Sequence, residues 1–348
     1  MRVFGSPVRR SLRSELQGCW SADVREHNPA VRYFEYLPIG LFASIMGLTG
    51  LSVAWRQAAT TFGLPGRIAD GIAILALGCF AALACAYAAK TLSAPDAVRT
   101  ELDHPVSGNL FGTIFVSILL IPIILAPVFP VTARAIWCVG ALGMFGFAWL
   151  MVDRWMNDRQ QVVQATPAWI VPVVGLLDVP LAVPFLNLPQ AHGLMVASLA
   201  IGLFFAVPIF TIIFARLLFV QPLAEPLQPM LLIMVAPFAV GFSAYTATTG
   251  RVDLFAEGLY GIMMFILVVL LVRMRRVARP CPFRVAWWAV SFPLAASAVA
   301  AIRFADARPG QVSSAIALAL LALASLVIAA LFVRTIAGIL RGELKALT

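Results

Sequence analysis

Ten apolar runs, separated by short polar connections, divide the chain. Each run is close to the ~20 residues that a helix needs to cross ~30 Å of hydrocarbon, because an α-helix rises ~1.5 Å per residue. The runs cover residues 37–57, 69–90, 109–129, 131–152, 166–188, 193–215, 229–249, 254–273, 284–303 and 313–336. The pattern therefore predicts an all-α integral membrane fold with ten transmembrane helices, called spans 1 to 10 below.

Interior prolines distinguish the odd-numbered spans from the even-numbered ones. They are Pro122 and Pro127 in span 3, Pro172, Pro180 and Pro184 in span 5, Pro237 in span 7 and Pro293 in span 9, whereas the even-numbered spans contain only Pro208. A proline bends a helix and frees a carbonyl, which in a membrane needs a partner in the protein or in a water-filled cavity. We therefore expect five helical hairpins around a central pore, with the odd helices inner and kinked and the even helices outer.

Composition and charge support a membrane environment. The 348 residues are 61% hydrophobic and 12% charged, which leaves too little polar surface for a soluble globule. Although the net charge is +9, the basic residues lie in the short connections and form no stripe, so we expect membrane lipid and no nucleic acid as a partner.

The distribution of basic residues also predicts the orientation of the chain. With a cytoplasmic N-terminus, 19 of the 25 Lys and Arg residues fall on the cytoplasmic side of ten spans. We expect a cytoplasmic tail over 1–32, a transmembrane channel or transporter domain over 33–340 and a short cytoplasmic tail over 341–348. The cell inner, or plasma, membrane is the expected location.

Few residues offer chemistry inside the membrane. Asp178 is the only acid placed well inside a predicted span, and an ionisable group at that depth is a functional hypothesis. The pore-lining candidates on the odd-numbered spans are Ser44, Thr49, Ser117, Asp178, Pro237, Ser243 and Ser291. Their hydroxyls could donate to a passing anion, although hydroxyls in membrane helices more often bond back to their own carbonyls.

No motif for catalysis, nucleotide binding or metal binding occurs in the sequence. The cysteines have no ligand spacing, and His104 in the segment DHPVSGN is expected to shape the start of span 3. We therefore expect no cofactor, no metal and no enzymatic activity. An intramembrane enzyme remains an alternative, which converging acid and base residues in the bundle would favour.

Five segments, in the same order along the chain, resemble the tellurite-resistance/C4-dicarboxylate transporter family, to which the plant guard-cell slow anion channels are related. They are LPIGLFASIMGLTGLSVAWR, DHPVSGNLFGTIFVSILLIP, TPAWIVPVVG, APFAVGFSAY and, the closest match, FRVAWWAVSFPLAASAVAAIRF from Phe283 to Phe304. The resemblance runs from about residue 33 to 340. It implies a homotrimer of ten-helix subunits with one pore in each.

The same resemblance implies a function for span 9. Channels of this family are gated by a phenylalanine near mid-membrane, and Phe292, with the kink at Pro293, occupies that place here. The expected function is transport of small anions, of the chloride, nitrate, sulfite, dicarboxylate or tellurite class, through a phenylalanine-gated pore. The alternative is a proton-coupled carrier of C4-dicarboxylate, such as malate, or of sulfite, in which Asp178 relays the proton.

Overall fold

The computed structural model describes residues 35–277 and 283–343. The predicted N-terminal tail over 1–32 and most of the C-terminal tail, residues 344–348, lie outside the described residues. Within the described ranges all regular secondary structure is helical, as predicted.

The prediction of ten spans is confirmed. In the part of the chain that the structure describes, ten helices are long and apolar enough to cross a membrane. They are Ile39–Phe62, Gly66–Ser93, Ser107–Leu125, Pro130–Asn157, Pro167–Leu186, Pro189–Phe219, Glu225–Thr249, Leu254–Arg275, Val285–Ala307 and Gln311–Leu340. Each overlaps one predicted run, so the numbering of spans 1 to 10 is kept. One shorter helix, Pro95–Asp103, lies in the connection between spans 2 and 3.

The odd-numbered spans are the more buried set. In each span's most apolar 18-residue stretch, the buried share is 83, 67, 83, 78 and 83% for spans 1, 3, 5, 7 and 9, against 17, 39, 33, 33 and 33% for the even-numbered spans. The even-numbered spans expose large apolar side chains, including Trp149 and Phe265. Such a surface is suited to lipid rather than to water.

Some prolines in the odd-numbered spans lie where the helix type changes, whereas Pro122 and Pro184 lie inside α-helices. Pro237 and Pro293 lie in the first turn of the α-helical segments Ala236–Thr249 and Ser291–Ala307, each of which follows a 3₁₀ segment. The N–H groups of Ala236 and Ser291 donate to carbonyls of the preceding 3₁₀ segments, whereas the prolines that follow them have no N–H to donate. The irregularity of span 9 thus lies before Pro293, in the 3₁₀ segment Val285–Val290.

Spans 1 and 9 form the most extensive contact between two helices. A β-carbon added at Gly47 would overlap Ser291 Oγ, and one at Gly50 would lie 3.0 Å from Ala295 Cβ. The single Ser291 hydroxyl hydrogen is shared between Trp288 O, at 2.6 Å from Oγ, and Ala43 O, at 3.1 Å across the interface. Small residues thus let the two backbones approach closely.

A buried polar network holds the start of span 1. The Glu101 carboxylate accepts hydrogen bonds from Lys90 Nζ at 2.8 Å, Tyr87 Oη at 2.9 Å and the Ile39 N–H at 2.6 Å. Lys90 Nζ also donates to Leu37 O at 2.7 Å. The short helix between spans 2 and 3 carries Glu101, so it is fastened to the beginning of span 1.

We expect Gly47→Ala to destabilise the protein, because the added methyl group would overlap the Cβ and Oγ of Ser291 and overpacking costs about 1–3 kcal/mol. The measurement is the melting temperature of the purified protein in detergent. Gly71→Ala is the matched control, since nothing lies within 4 Å of a β-carbon there. Adding Ser291→Gly to Gly47→Ala should recover part of the loss. Equal melting temperatures for Gly47→Ala and Gly71→Ala would contradict the close contact.

Candidate functional site

Two small cavities lie among the odd-numbered spans. The first, here the Asp178 cavity, has a volume of about 50 Å³ and is lined by residues from the first half and the middle of the odd-numbered spans. These residues include Met46, Thr113, Asp178, Ala236 and Trp288, one from each span. The lining is almost wholly apolar, so the Asp178 carboxyl is the one ionisable group among the residues that line it.

The second cavity, here the Arg303 cavity, has a volume of about 30 Å³. It is lined by residues from the second half of the same five spans, including Val53, Ile123, Phe185, Ser243 and Arg303. Neither cavity takes a lining residue from an even-numbered span. The two cavities therefore follow one another along the axis that the five odd-numbered spans share.

Phe292 lies between the two cavities. It lines both of them, together with Val240, and is only 7% exposed. Its position follows from the change of helix type in span 9, because it is the second residue of the α-helical segment Ser291–Ala307. The ring lies against the bare face of Gly50, where an added β-carbon would be 3.7 Å from Phe292 Cδ2.

Asp178 ends the 3₁₀ segment Gly175–Asp178 in the middle of span 5 and is 2% exposed. Its Oδ1 has no hydrogen-bond partner, and no ion pair in the described part of the chain includes it. A buried carboxyl without a partner costs free energy, so such groups are usually kept for function.

Three of the predicted pore hydroxyls are used to bond backbone carbonyls. Ser44 Oγ donates to Leu41 O at 2.6 Å, and Ser117 Oγ donates to Thr113 O at 2.7 Å. The Ser291 hydroxyl is shared between carbonyls of spans 9 and 1, as described above. Their role as pore-lining residues stays a prediction, and none of the three serines lines either cavity. The cause is the local back-bonding that short hydroxyl side chains favour in apolar helices.

Of the remaining pore-lining candidates, only some lie at a cavity. Thr49 and Pro237 are buried and line neither cavity, and their role in the pore also stays a prediction. Ala236, the neighbour of Pro237, lines the Asp178 cavity. Ser243 does line the Arg303 cavity. Its Oγ is buried and has no hydrogen-bond partner. Of the predicted set, Phe292, Pro293, Asp178 and Ser243 are therefore the residues at the cavities.

Arg303 is the residue at the cavities that sequence reasoning missed. Its Nη1 donates to Ser243 O at 3.1 Å and to Thr246 Oγ1 at 3.3 Å. With the Gln57 amide oriented to accept, Arg303 Nε lies 3.0 Å from its oxygen. The available signal was an arginine near the end of an apolar, proline-containing span.

No group of three or more His, Cys, Asp or Glu residues that could hold a metal occurs among residues 35–277 and 283–343. His104 Nδ1 accepts hydrogen bonds from the Val106 and Ser107 N–H groups at 3.2 and 3.3 Å. The ring therefore shapes the start of span 3, as the sequence predicts.

Comparison with known proteins identifies the family to which this chain belongs. The family model of the voltage-dependent anion channel, SLAC1, matches residues 36–336. Among relatives, the S-type anion channel SLAH3 of Arabidopsis thaliana is 27% identical over 310 residues, which cover 86% of this chain and 48% of that protein. The guard cell S-type anion channel SLAC1 of the same plant is 26% identical, with 86% of this chain and 55% of that protein covered.

A bacterial relative is similar over nearly its whole length. The tellurite resistance protein TehA homolog of Haemophilus influenzae is 26% identical over 313 residues, which cover 88% of this chain and 92% of that protein. In contrast, the chain spans about half the length of the plant relatives. The resemblance found in the sequence is confirmed: the chain belongs to the voltage-dependent anion channel family and is a multi-pass membrane protein.

Proposed function

We propose that this protein transports small anions across the membrane through a pore inside each chain. The observation that carries the proposal is the pair of cavities, each lined by all five odd-numbered spans, with Phe292 between them. The names of the relatives, which include S-type anion channels, support anions as the transported class. The odd-numbered spans then form the inner, pore-lining helix of five hairpins, and the even-numbered spans form the outer layer against lipid.

In this proposal Phe292 is the gate. The two cavities are small and largely apolar, so an anion that reaches the ring has to give up most of its hydration shell. The two described residues that line both cavities, Phe292 and Val240, carry no charge, so the stripped anion is not compensated where it passes them. The conformation with the ring between the cavities is therefore the closed one, and opening requires the ring to move.

Several further features belong to the same proposal. We place both termini in the cytoplasm and the protein in the plasma membrane, because that orientation puts most basic residues on the cytoplasmic side. A homotrimer is the assembly that the family resemblance implies. We propose no enzymatic activity, since Asp178 has no basic partner in the described residues and thus forms no acid–base pair.

A proton-coupled carrier of dicarboxylate or sulfite is the second candidate, and Asp178 favours it. An ionised carboxylate in the cavity would repel an entering anion, whereas a protonated one could donate a hydrogen bond to it. A group that alternates between these states inside the pore can couple anion movement to a proton. The two candidates differ in whether transport requires a pH gradient.

We expect Phe292→Ala to raise the anion current strongly, by about tenfold or more, because removal of the ring joins the two cavities and lets water enter with the anion. The current should be equal at two pH values and should not require a pH gradient. The measurement is current in planar bilayers with chloride, nitrate, sulfite or malate as the anion. Phe292→Leu should give a smaller rise, since Leu fills part of the space.

Phe304→Ala is the matched control for Phe292→Ala. Phe304 is on the same span and its ring stacks on Tyr260 at 4.1 Å, but it lines neither cavity. It should leave the current unchanged. Absence of current in both the wild type and Phe292→Ala, together with proton-driven uptake into vesicles, would contradict the channel and favour the carrier.

We expect Asp178→Asn to raise the melting temperature, because it removes a buried carboxyl that has no partner. Asp253→Asn should lower it, since Asp253 accepts hydrogen bonds from the Tyr245 hydroxyl and from the Phe255 and Ala256 N–H groups. Transport separates the two candidate functions. If the protein is a channel, the double variant Asp178→Asn, Phe292→Ala should carry the same current as Phe292→Ala. If it is a carrier, Asp178→Asn should abolish proton-driven uptake. A lower melting temperature for Asp178→Asn would contradict the absence of a partner.

A further inference from the structure

We propose that Arg303 and Ser243 form an anion-binding site in the Arg303 cavity, which takes a small monovalent anion and favours a planar oxyanion, such as nitrate, over a halide. This inference rests on the proposed function, because it assigns the site to the anion pathway. It adds what that function lacks, namely a positive charge inside the pore and a reason for selectivity.

The guanidinium group of Arg303 is held in place by spans 1 and 7. Two of its acceptors, Ser243 O and Thr246 Oγ1, lie on span 7, and Gln57 on span 1 faces its Nε. All three acceptors are neutral. These neutral acceptors orient the guanidinium group and do not neutralise its positive charge. Such an arrangement is that of a preorganised anion site.

The charge of Arg303 remains available to a ligand. None of the ion pairs within the described residues includes Arg303. Its neighbour in sequence, Asp306, is instead an acceptor for Thr61 Oγ1. Because the described part of the chain gives Nη2 no hydrogen-bond partner, both Nη2 hydrogens are free to donate to an anion in the cavity.

Ser243 supplies an independent sign of a ligand. Its side chain is 3% exposed, its Oγ has no partner, and it lines the same cavity as the guanidinium. A buried hydroxyl without a partner costs free energy unless something else accepts its hydrogen bond. The Ser243 carbonyl meanwhile binds Arg303, so one residue positions the charge and presents a second donor.

Size and donor geometry define the class of ligand. The cavity is small, about 30 Å³, and offers one guanidinium group and one free hydroxyl as donors, which suits a single small anion. The planar fork of a guanidinium group matches two oxygens of a planar oxyanion, whereas a spherical halide uses only one direction at a time. The geometry therefore favours nitrate over chloride, with both able to bind.

The test uses the Phe292→Ala background, in which the gate does not limit the current. Adding Arg303→Gln should lower the chloride and nitrate currents by about tenfold, since the charge is lost. Arg303→Lys keeps the charge and loses the fork, so it should keep most of the chloride current and lower the nitrate-to-chloride permeability ratio. Ser243→Ala should lower both currents by a smaller factor.

Arg308→Gln is the matched control. Arg308 lies five residues further along the chain, pairs with Glu257 at 2.9 Å and lines neither cavity. It should leave both currents and their ratio unchanged. Currents in Arg303→Gln equal to those of the parent, or an unchanged ratio in Arg303→Lys, would overturn the site.

A second measurement does not depend on conduction. Replacement of gluconate by nitrate at constant ionic strength should raise the melting temperature of the wild-type protein, and not that of Arg303→Gln or Ser243→Ala. If Phe292→Ala conducts nothing but this stabilisation is present, the site stands and the proposed function fails. If Phe292→Ala conducts and nitrate stabilises Arg303→Gln as well as the wild type, the site fails and the function stands.

Discussion

Gly47 and Gly50 bring the backbone of span 1 so close to span 9 that a methyl group at position 47 would overlap Ser291. This contact locates the α-helical segment that begins at Ser291, and Phe292 is its second residue. The ring consequently lies against the glycine face of span 1 with one cavity on each side. A larger residue in place of either glycine would push against the α-helical segment that carries both Phe292 and Arg303.

Backbone hydrogen bonding explains why the irregular helices are the buried ones. Spans 5, 7 and 9 contain 3₁₀ segments, whose hydrogen bonds have poorer geometry than those of an α-helix. Lipid offers no hydrogen bonds, so irregular backbone at membrane depth needs protein or a cavity around it. In span 5, the Trp137 indole of span 4 donates to Val179 O at 3.0 Å. The more exposed even-numbered spans contain long α-helices without 3₁₀ interruptions, and among those of spans 2, 4, 6 and 10 only the helix of span 6 has an interior proline, Pro208.

Sequence reasoning succeeded where one physical quantity dominates. Ten spans follow from run length, because the thickness of a bilayer sets a lower limit on each helix. The direction of a hydroxyl is a different problem: Ser44, Ser117 and Ser291 look equivalent to Ser243 in sequence, yet only Ser243 faces a cavity. Arg303 was missed because its role depends on acceptors from spans 1 and 7, which are distant in sequence. Likewise, whether a proline kinks a helix or begins one depends on the 3₁₀ segments, which periodicity does not reveal.

The central claim is that the two cavities are halves of one anion pathway within each chain. The most direct measurement is block of the Phe292→Ala current by silver ions, in a chain whose five native cysteines are replaced. We predict that silver blocks the current when a cysteine replaces Val174 in the Asp178 cavity or Val299 in the Arg303 cavity. It should have no effect with Leu142→Cys, which is exposed on span 4. If silver ions block the current of neither the Val174→Cys nor the Val299→Cys variant, the account is contradicted.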